Sequence, residues 1–312
     1  MKKIFHVVGF GALNVDKLYR VNKIAHEDEE SFIIDFMEAC GGSAANTIVG
    51  LARLGLKTGF IGKVAQDREG KLLMEDFKRE GVDTSMIIVT KRGRSGTVIG
   101  FVDEKGERAL YVDPGVNDEI SFEELNIDLI KNTEFLHLSS FVGDKSFETQ
   151  KKLVEEVADE VKVSFDPGTL YVKRGLEALK PILKNSFLLL PSGEELKILT
   201  GKSVREGSKV LLGLGAEIVA VKLGKEGCYV TDGKEEHFIK AYSVKVVDTT
   251  GAGDAFNSGF LFGLVKNKDL YECGKLGNLI ASKCITKMGA RTGLPKLTEI
   301  QKAYFKSLEY QK

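Results

Sequence analysis

Along the chain, short apolar runs alternate with longer stretches whose apolar residues recur every three or four positions. Phe135 to Leu138, Val161 to Phe165, Ser186 to Leu190 and Ile218 to Leu223 are runs of the kind that parallel strands need when both faces are covered. Between them, Ser146 to Ala158 and Gly175 to Leu183 carry helical periodicity. This rhythm predicts an α/β fold, a mostly parallel sheet with helices packed on it. Two segments break the rhythm. Asn14 to Met37 and Ser95 to Asp113 read as extended strands, the second turning at Asp103-Glu104-Lys105-Gly106. Neither contains a helix to cover it, so the two are expected to form a small sheet projecting from the main body. Their apolar residues (Phe32, Ile34, Phe36, Val98, Phe101) read as one set, and even parity puts Phe32, Ile34 and Phe36 on one face. Exposed strand edges invite pairing, so a homodimer through this sheet is expected. The same face could equally close over a ligand. With no repeat and no linker in view, residues 1–312 are expected to be one domain, with 12–39 and 94–116 as the small sheet.

Composition narrows the class. Lys+Arg and Asp+Glu both number 45, so no overall field favours a nucleic acid or an acidic membrane. The four cysteines (Cys40, Cys228, Cys273, Cys284) are far apart and form no metal-ligand spacing, the pattern of reduced thiols in a cytoplasmic protein. No apolar run reaches the roughly 18 residues of a membrane helix. The start, Met1-Lys2-Lys3 and then Ile4 to Leu13, is broken by His6 and followed by Asn14 and Asp16, which argues against an export signal.

The chemistry concentrates at two glycine-rich helix starts. Asp248-Thr249-Thr250-Gly251-Ala252-Gly253-Asp254 follows a β-rich run, Ser243 to Val247, and precedes a helical stripe of Phe256, Phe260 and Leu264. Small residues at a first helical turn leave backbone N–H groups bare, where the dipole favours an anion. Asp254 then sets a carboxylate beside that anion hole, a costly arrangement unless it accepts a proton from an attacking hydroxyl. The plainer alternative is a capped turn with Asp254 as a dipole partner. The second start is Gly41-Gly42-Ser43-Ala44-Ala45-Asn46, leading into Ile48, Val49, Ala52 and Leu54 and stopping at Gly55. With Asn14 and Asp16 at a strand end it offers amide, carboxylate and bare backbone, a set suited to a polyhydroxylated ligand. Two other patterns fail. Thr200-Gly201-Lys202-Ser203 ends like a phosphate-binding loop, but Leu196 stands where its first glycine belongs, and Gly201 reads as a helix cap. Gly9-Phe10-Gly11 lacks the third glycine and the helix of a dinucleotide site.

The order of these elements resembles the ribokinase-like, or phosphofructokinase-B, family of carbohydrate and nucleoside kinases. The resemblance rests on Gly11-Ala12-Leu13-Asn14-Val15-Asp16, the double-glycine start Gly41 to Asn46, and Asp113-Pro114-Gly115-Val116-Asn117. It continues through Val221-Lys222-Leu223-Gly224-Lys225-Glu226-Gly227, the heptapeptide ending at Asp254, and Gly289-Ala290. It implies a three-layer α/β/α kinase with a small β lid, transferring a phosphoryl group from ATP, with Mg2+, to a hydroxymethyl group. Asp254 would be the base and the amides of Gly251, Ala252 and Gly253 the anion hole. Asn14, Asp16, Gly41, Gly42, Asn46 and Asn117 would serve a small sugar or polyol. Lys222, Gly224, Gly227, Ser192 and Glu195 would serve the nucleotide, Glu195 also contacting Mg2+ indirectly.

This chain departs from the family at three points. The asparagine of the family's NxxE motif is Ser192, although Glu195 keeps the acid. Where ribokinase has a glutamate after the strand matching Phe135 to Leu138, Ser139 and Ser140 stand, which weakens ribose specificity. A monovalent cation site found in some members would use Asp248, Thr250, Cys284 and Gly289, but its serine is Gly293 here, which leaves K+ dependence open. A nucleoside acceptor is the alternative within the family, with Phe10, Phe36 and Phe101 as candidate walls for a base. A non-catalytic sugar-binding protein on the same fold is the alternative outside it.

Overall fold

Buried parallel strands need helices on both faces, and the computed structural model, which describes residues 3–301, has that arrangement. Met1, Lys2 and residues 302–312 of the expected domain lie outside the described residues. The first half runs β1 (Phe5–Phe10), β2 (Asn14–Val21), β3 (Ile33–Gly41), α1 (Ser43–Arg53), β4 (Thr58–Ala65), α2 (Arg68–Glu80), β5 (Ile87–Thr90), β6 (Gly96–Val102) and β7 (Arg108–Asp113). It continues with α3 (Ile127–Lys131), β8 (Thr133–Leu138), α4 (Asp144–Val157), β9 (Lys162–Phe165), α5 (Gly168–Val172), α6 (Leu176–Lys184) and β10 (Leu188–Leu189). The last part is α7 (Gly193–Thr200), α8 (Val204–Gly213), β11 (Ile218–Lys222), β12 (Cys228–Thr231), β13 (Glu236–Ile239), α9 (Ala252–Val265) and α10 (Leu270–Cys284).

Nine strands form the main sheet in the order β13-β12-β11-β10-β9-β8-β1-β4-β5. It is parallel from β11 to β5; β12 is antiparallel to both of its neighbours. Two apolar cores lie on its faces, one with Ile48, Phe60, Phe77, Phe260 and Ile280, the other with Phe10, Leu153, Phe165, Leu179, Leu196 and Leu211. The helix carrying Phe256 and Phe260 differs from the one-sided stripe expected: every residue from Ala255 to Gly263 is buried. It lies between α1 and α10, and a Cβ at Gly50 would fall 2.7 Å from Ser258 Oγ, so the α1–α9 approach depends on that small residue.

The second sheet has the order β3-β2-β6-β7, with β2 and β6 parallel. Its register corrects the expected single apolar set. Asp16 pairs with Val98 whereas Tyr19 pairs with Phe101, so Val98 and Phe101 point to opposite faces. Phe32 precedes β3, and a bulge between the pairs Val21–Ile33 and Arg20–Asp35 leaves Ile34 as the extra residue. One extra residue breaks the parity on which the one-face reading of Phe32, Ile34 and Phe36 depended. One face carries Phe36, Tyr19 and Phe101, with Tyr19 centred 4.9 Å and 5.6 Å from the other two rings. At its base that face is pinned to α2 through Lys17–Glu69 and Glu38–Arg68. A helix from the main body therefore covers part of it. Asp16 lies on the opposite face, at the junction with the main sheet.

The β-rich run Ser243 to Val247 is not a strand. It follows the edge strand β13, and Val246 and Val247 are exposed, so burial gives these β-branched residues no reason to pair. Val247 N–H donates instead to the Ile285 carbonyl at 2.8 Å.

Candidate active site

The two glycine-rich helix starts face each other at the carboxyl ends of the parallel strands, where open α/β sheets bind ligands. Gly251 stands before α9 with φ 75°, and a Cβ there would fall 2.6 Å from that of Ala290, so a side chain is excluded. Asp254 follows in the first turn. Its Oδ1 accepts from Ser43 Oγ at 2.7 Å and its Oδ2 from Asn46 Nδ2 at 2.8 Å, both donors belonging to α1. Burial pushes this carboxyl up to about 6, against the opposing pull of the Ser43 and Asn46 bonds. A carboxyl at that value is ionised at neutral pH yet basic enough to take a proton.

Asn46 is fixed from its other end. Its Oδ1 accepts from Arg291 Nε at 2.7 Å, while Arg291 also pairs with Asp76 of α2 and approaches the Gly41 carbonyl at 3.4 Å. Asp16 lies in the same field. Burial raises its carboxyl to about 6, with Arg291 pulling the other way. Asn14 begins β2, and its Oδ1 accepts from Asn117 Nδ2 at 3.0 Å. Asn117 is fully buried and spends the rest of its amide on the Leu13 backbone, so it braces Asn14 and has no surface for a ligand. Of the residues expected to meet the acceptor, Asn14, Asp16, Gly41, Gly42 and Asn46 come together with Asp254, and Asn117 stands one layer behind.

On the other side of Asp254 opens a cavity of about 760 Å³, lined by Ser43, Glu195, Lys222, Gly227, Gly253 and Asp254 among others. Lys222, at the end of β11, bonds Asp166 Oδ2 at 2.5 Å. Asn257 Nδ2 donates to the same oxygen at 2.6 Å. Burial works against the charge of Asp166, but the Lys222 ammonium and these bonds prevail and hold it below the usual carboxylate range. A Cβ on Gly253 would meet only the Lys222 side chain, its Nζ 3.5 Å away, so the ammonium borders the bare first turn of α9. Ser192 caps α7, accepting from Glu195 N–H at 3.2 Å, and Glu195 Oε2 accepts from Ser192 N–H at 2.8 Å. Burial, then the Asp166 charge, raises the Glu195 carboxyl. The far wall is apolar, built by Tyr242, Val244, Val246, Phe256, Ala281 and Ile285. The stretch expected as a strand is thus part of the cavity wall.

The positions assigned to a monovalent cation lie together behind the loop. Asp248 accepts from Thr250 N–H and from Gly289 N–H, at 2.9 Å and 2.7 Å, and Cys284 Sγ donates to the Ala290 carbonyl at 3.3 Å. Gly293 packs against the Cys284 carbonyl, where a serine would have no room.

Sequence reasoning missed Ser43, Asp166, Asn257, Arg291 and the apolar wall. Asp166 carried a readable signal, a carboxylate directly after a buried strand and before Pro167-Gly168. Arg291 carried none, since its partners Asn46 and Asp76 lie more than 200 positions away.

Comparison with known proteins bears on the family and the fold. The family model described as pfkB family carbohydrate kinase matches residues 5–297. An uncharacterized sugar kinase from Archaeoglobus fulgidus is 51% identical over 251 residues, covering 80% of this chain and 99% of that protein. The crystal structure of a ribokinase from Thermotoga maritima superposes with a TM-score of 0.86 at 25% identity, covering 97% of this chain and 100% of the other. A nucleoside kinase from Methanocaldococcus jannaschii shares the fold at a TM-score of 0.84 and 24% identity, over 97% and 98% of the two chains. On these matches, the chain belongs to the pfkB family of carbohydrate kinases and is a phosphotransferase with the ribokinase fold.

Proposed function

We propose that this enzyme moves the terminal phosphoryl group of ATP onto a hydroxymethyl group of a small sugar or polyol, with Asp254 as the base. The observation that carries this reading is the partly buried Asp254 carboxylate, held on both oxygens by α1 and bordered by the Lys222 ammonium across Gly253. As the acceptor oxygen bonds to phosphorus, its proton passes to Asp254 and the bond from phosphorus to the ADP oxygen breaks. The amides of Gly251, Ala252 and Gly253, with Lys222, meet the charge on the transferring group. Asn14, Asp16, Gly42 and Asn46 hold the acceptor's hydroxyls, and the apolar wall from Tyr242 to Ile285 receives the donor's base.

Magnesium fits the donor cavity, where Glu195 would hold it indirectly. No cluster of three metal-ligating side chains occurs among the described residues, and Glu195 is a carboxylate reaching the cavity with one oxygen not engaged by its capping box. When bound there, the ion neutralises charge between the donor phosphates. The small sheet is read as a lid, since Asp16 sits on its inner face at the hinge with the main sheet.

A nucleoside acceptor is the second reading, favoured by one observation. The face of the small sheet that carries Asp16 also carries Leu18, Met37, Val98, Leu110 and Val112, an apolar ceiling of the kind a nucleobase packs against. A panel of sugars, polyols and nucleosides scored for ADP formation, with Asp254→Asn as control, tests both. ADP released at equal rates with and without every acceptor would refute the kinase assignment.

A further inference from the structure

Asn46 can point its amide either way in isolation, and only one orientation serves Asp254. Arg291 decides between them, because a guanidinium has donors and no acceptor. With Arg291 Nε at 2.7 Å, the Asn46 oxygen must face Arg291 and its NH2 must face Asp254. Arg291 is itself held rigidly. It pairs with Asp76, its carbonyl accepts from Arg53 at 2.6 Å, and Arg53 is tied to Glu80 by two bonds of 2.8 Å and 2.7 Å. Its side chain is 11% exposed, and that of Asp76 is 8%.

We infer that Arg291 is a positioning residue for the phosphoryl-transfer step, locking the Asn46 amide so that Asp254 is presented ionised with a free lone pair on each oxygen. This rests on the reading of Asp254 as the base. With Arg291 gone, the Asn46 amide is free to turn its oxygen toward the carboxylate. That contact is repulsive unless Asp254 carries a proton, and a protonated Asp254 cannot accept another. The titratable groups facing Asp254 are Lys222 from β11, Asp166 after β9 and the uncharged Cys284 thiol of α10. Those facing Arg291 are Asp76 and Glu80 of α2, Asp16 of β2 and Cys40 of β3. None of them can replace the donor lost from Asn46.

Removing Arg291 alone would strand Asp76, so the test replaces both partners, R291M/D76L, and repeats the pH profile with Asp16→Asn added, because Asp16 also loses the opposing charge of Arg291. The pair R291M/D76N, whose neutral amide can still bond Arg79, serves the same purpose if the first does not fold. On protein with a wild-type melting transition, kcat should fall about tenfold or more and its acid limb should move up by about one pH unit. The KM for ATP should stay within about twofold. R291K, which keeps a donor, should recover part of kcat and return the limb toward its original position. A limb that does not move, or a loss confined to KM for the acceptor, overturns the inference. Failure of the underlying reading is distinguishable, because Asp254→Asn would then retain turnover.

Discussion

Replacing Asp254 by Asn should sharply lower turnover and stabilise the fold at once, and the pH dependence of the second effect separates a buried base from a structural carboxylate. Burial raises this carboxyl from 3.8 to about 6. Above pH 6 the folded protein holds a charge it would rather not hold. Between 6 and 3.8 the native state binds the proton more readily than the unfolded chain, so the penalty shrinks as pH falls through that window. Two pH units correspond to about 3 kcal/mol, which sets the ceiling on the gain at pH 8. The amide fits the existing bonds. Arg291 keeps the Asn46 NH2 aimed at position 254, so the new carbonyl faces Asn46, and the new NH2 donates to Ser43, whose hydroxyl can accept. One amide hydrogen lacks a partner, which offsets about 1 kcal/mol, so we expect about 1–2 kcal/mol, a rise in Tm of roughly 1.5–3 °C for a chain of this size. By pH 4.5 the gain should be smaller by about 2 kcal/mol. Turnover should drop by a factor on the order of 10² to 10⁴, because the amide cannot take the proton. Thermal unfolding at the two pH values and ADP release at pH 8 provide the readings. A variant that melts below wild type at pH 8, or whose gain is the same at pH 4.5, would contradict the burial argument; turnover within a few-fold of wild type would reduce Asp254 to a dipole partner.

Asp16→Ala should raise the acceptor's KM or lower kcat/KM at a cost of about 1–3 kcal/mol while KM for ATP barely moves; a comparable loss for ATP would mean that the two subsites have been exchanged. Gly253→Val should fold, because a Cβ at that position meets only the end of Lys222, yet lose roughly 10²-fold in turnover as its branches shield the amide; an active variant would remove the phosphate cradle. His137 is fully buried, burial pushes it down to about 4, and its Nε2 has no partner. It should therefore contribute stability that is complete above pH 6.5 and lost as pH falls to 4, up to about 3 kcal/mol, a dependence that unfolding curves of His137→Asn should lack. A dimer through the small sheet predicts a scattering mass of twice the 34.2 kDa chain; a concentration-independent mass at the single-chain value rules it out, and the lid reading then rests on protection of 12–39 and 94–116 from proteolysis by acceptor and nucleotide.

The main sheet was legible because its strands are buried on both faces and so write themselves as unbroken apolar runs. Phe135 to Leu138 and Ile218 to Leu223 match β8 and β11 almost to the residue. The small sheet was legible as strands but not as faces. A single extra residue at Ile34 shifts every side chain beyond it, and no local pattern announces a bulge. Ser243 to Val247 failed for a related reason. Its β-branched residues report a preference for extended backbone, and extended backbone occurs in a cavity wall as well as in a ladder.

The glycine-rich starts were legible for a different reason, since the anion hole proposed there would be built from backbone, and small residues are the only way to leave backbone bare. What the sequence does not display is how each start is completed. Asp254 is held by Ser43 and Asn46, which lie 211 and 208 positions earlier, and Asn46 is oriented by Arg291, 245 positions later. Each of these residues has an ordinary local reading as a helix-start serine, a first-turn amide or a surface cation. The fold makes them one unit by running α1 and α9 side by side across Gly50 and Ser258 and bringing the chain after α10 back over both. A carboxylate raised by burial needs donors to remain ionised, and donors of fixed orientation need partners of their own. The polar chain therefore runs from Asp254 through buried Asn46, nearly buried Arg291 and buried Asp76 back out to the surface, ending on Arg79, whose side chain is 70% exposed and can be hydrated.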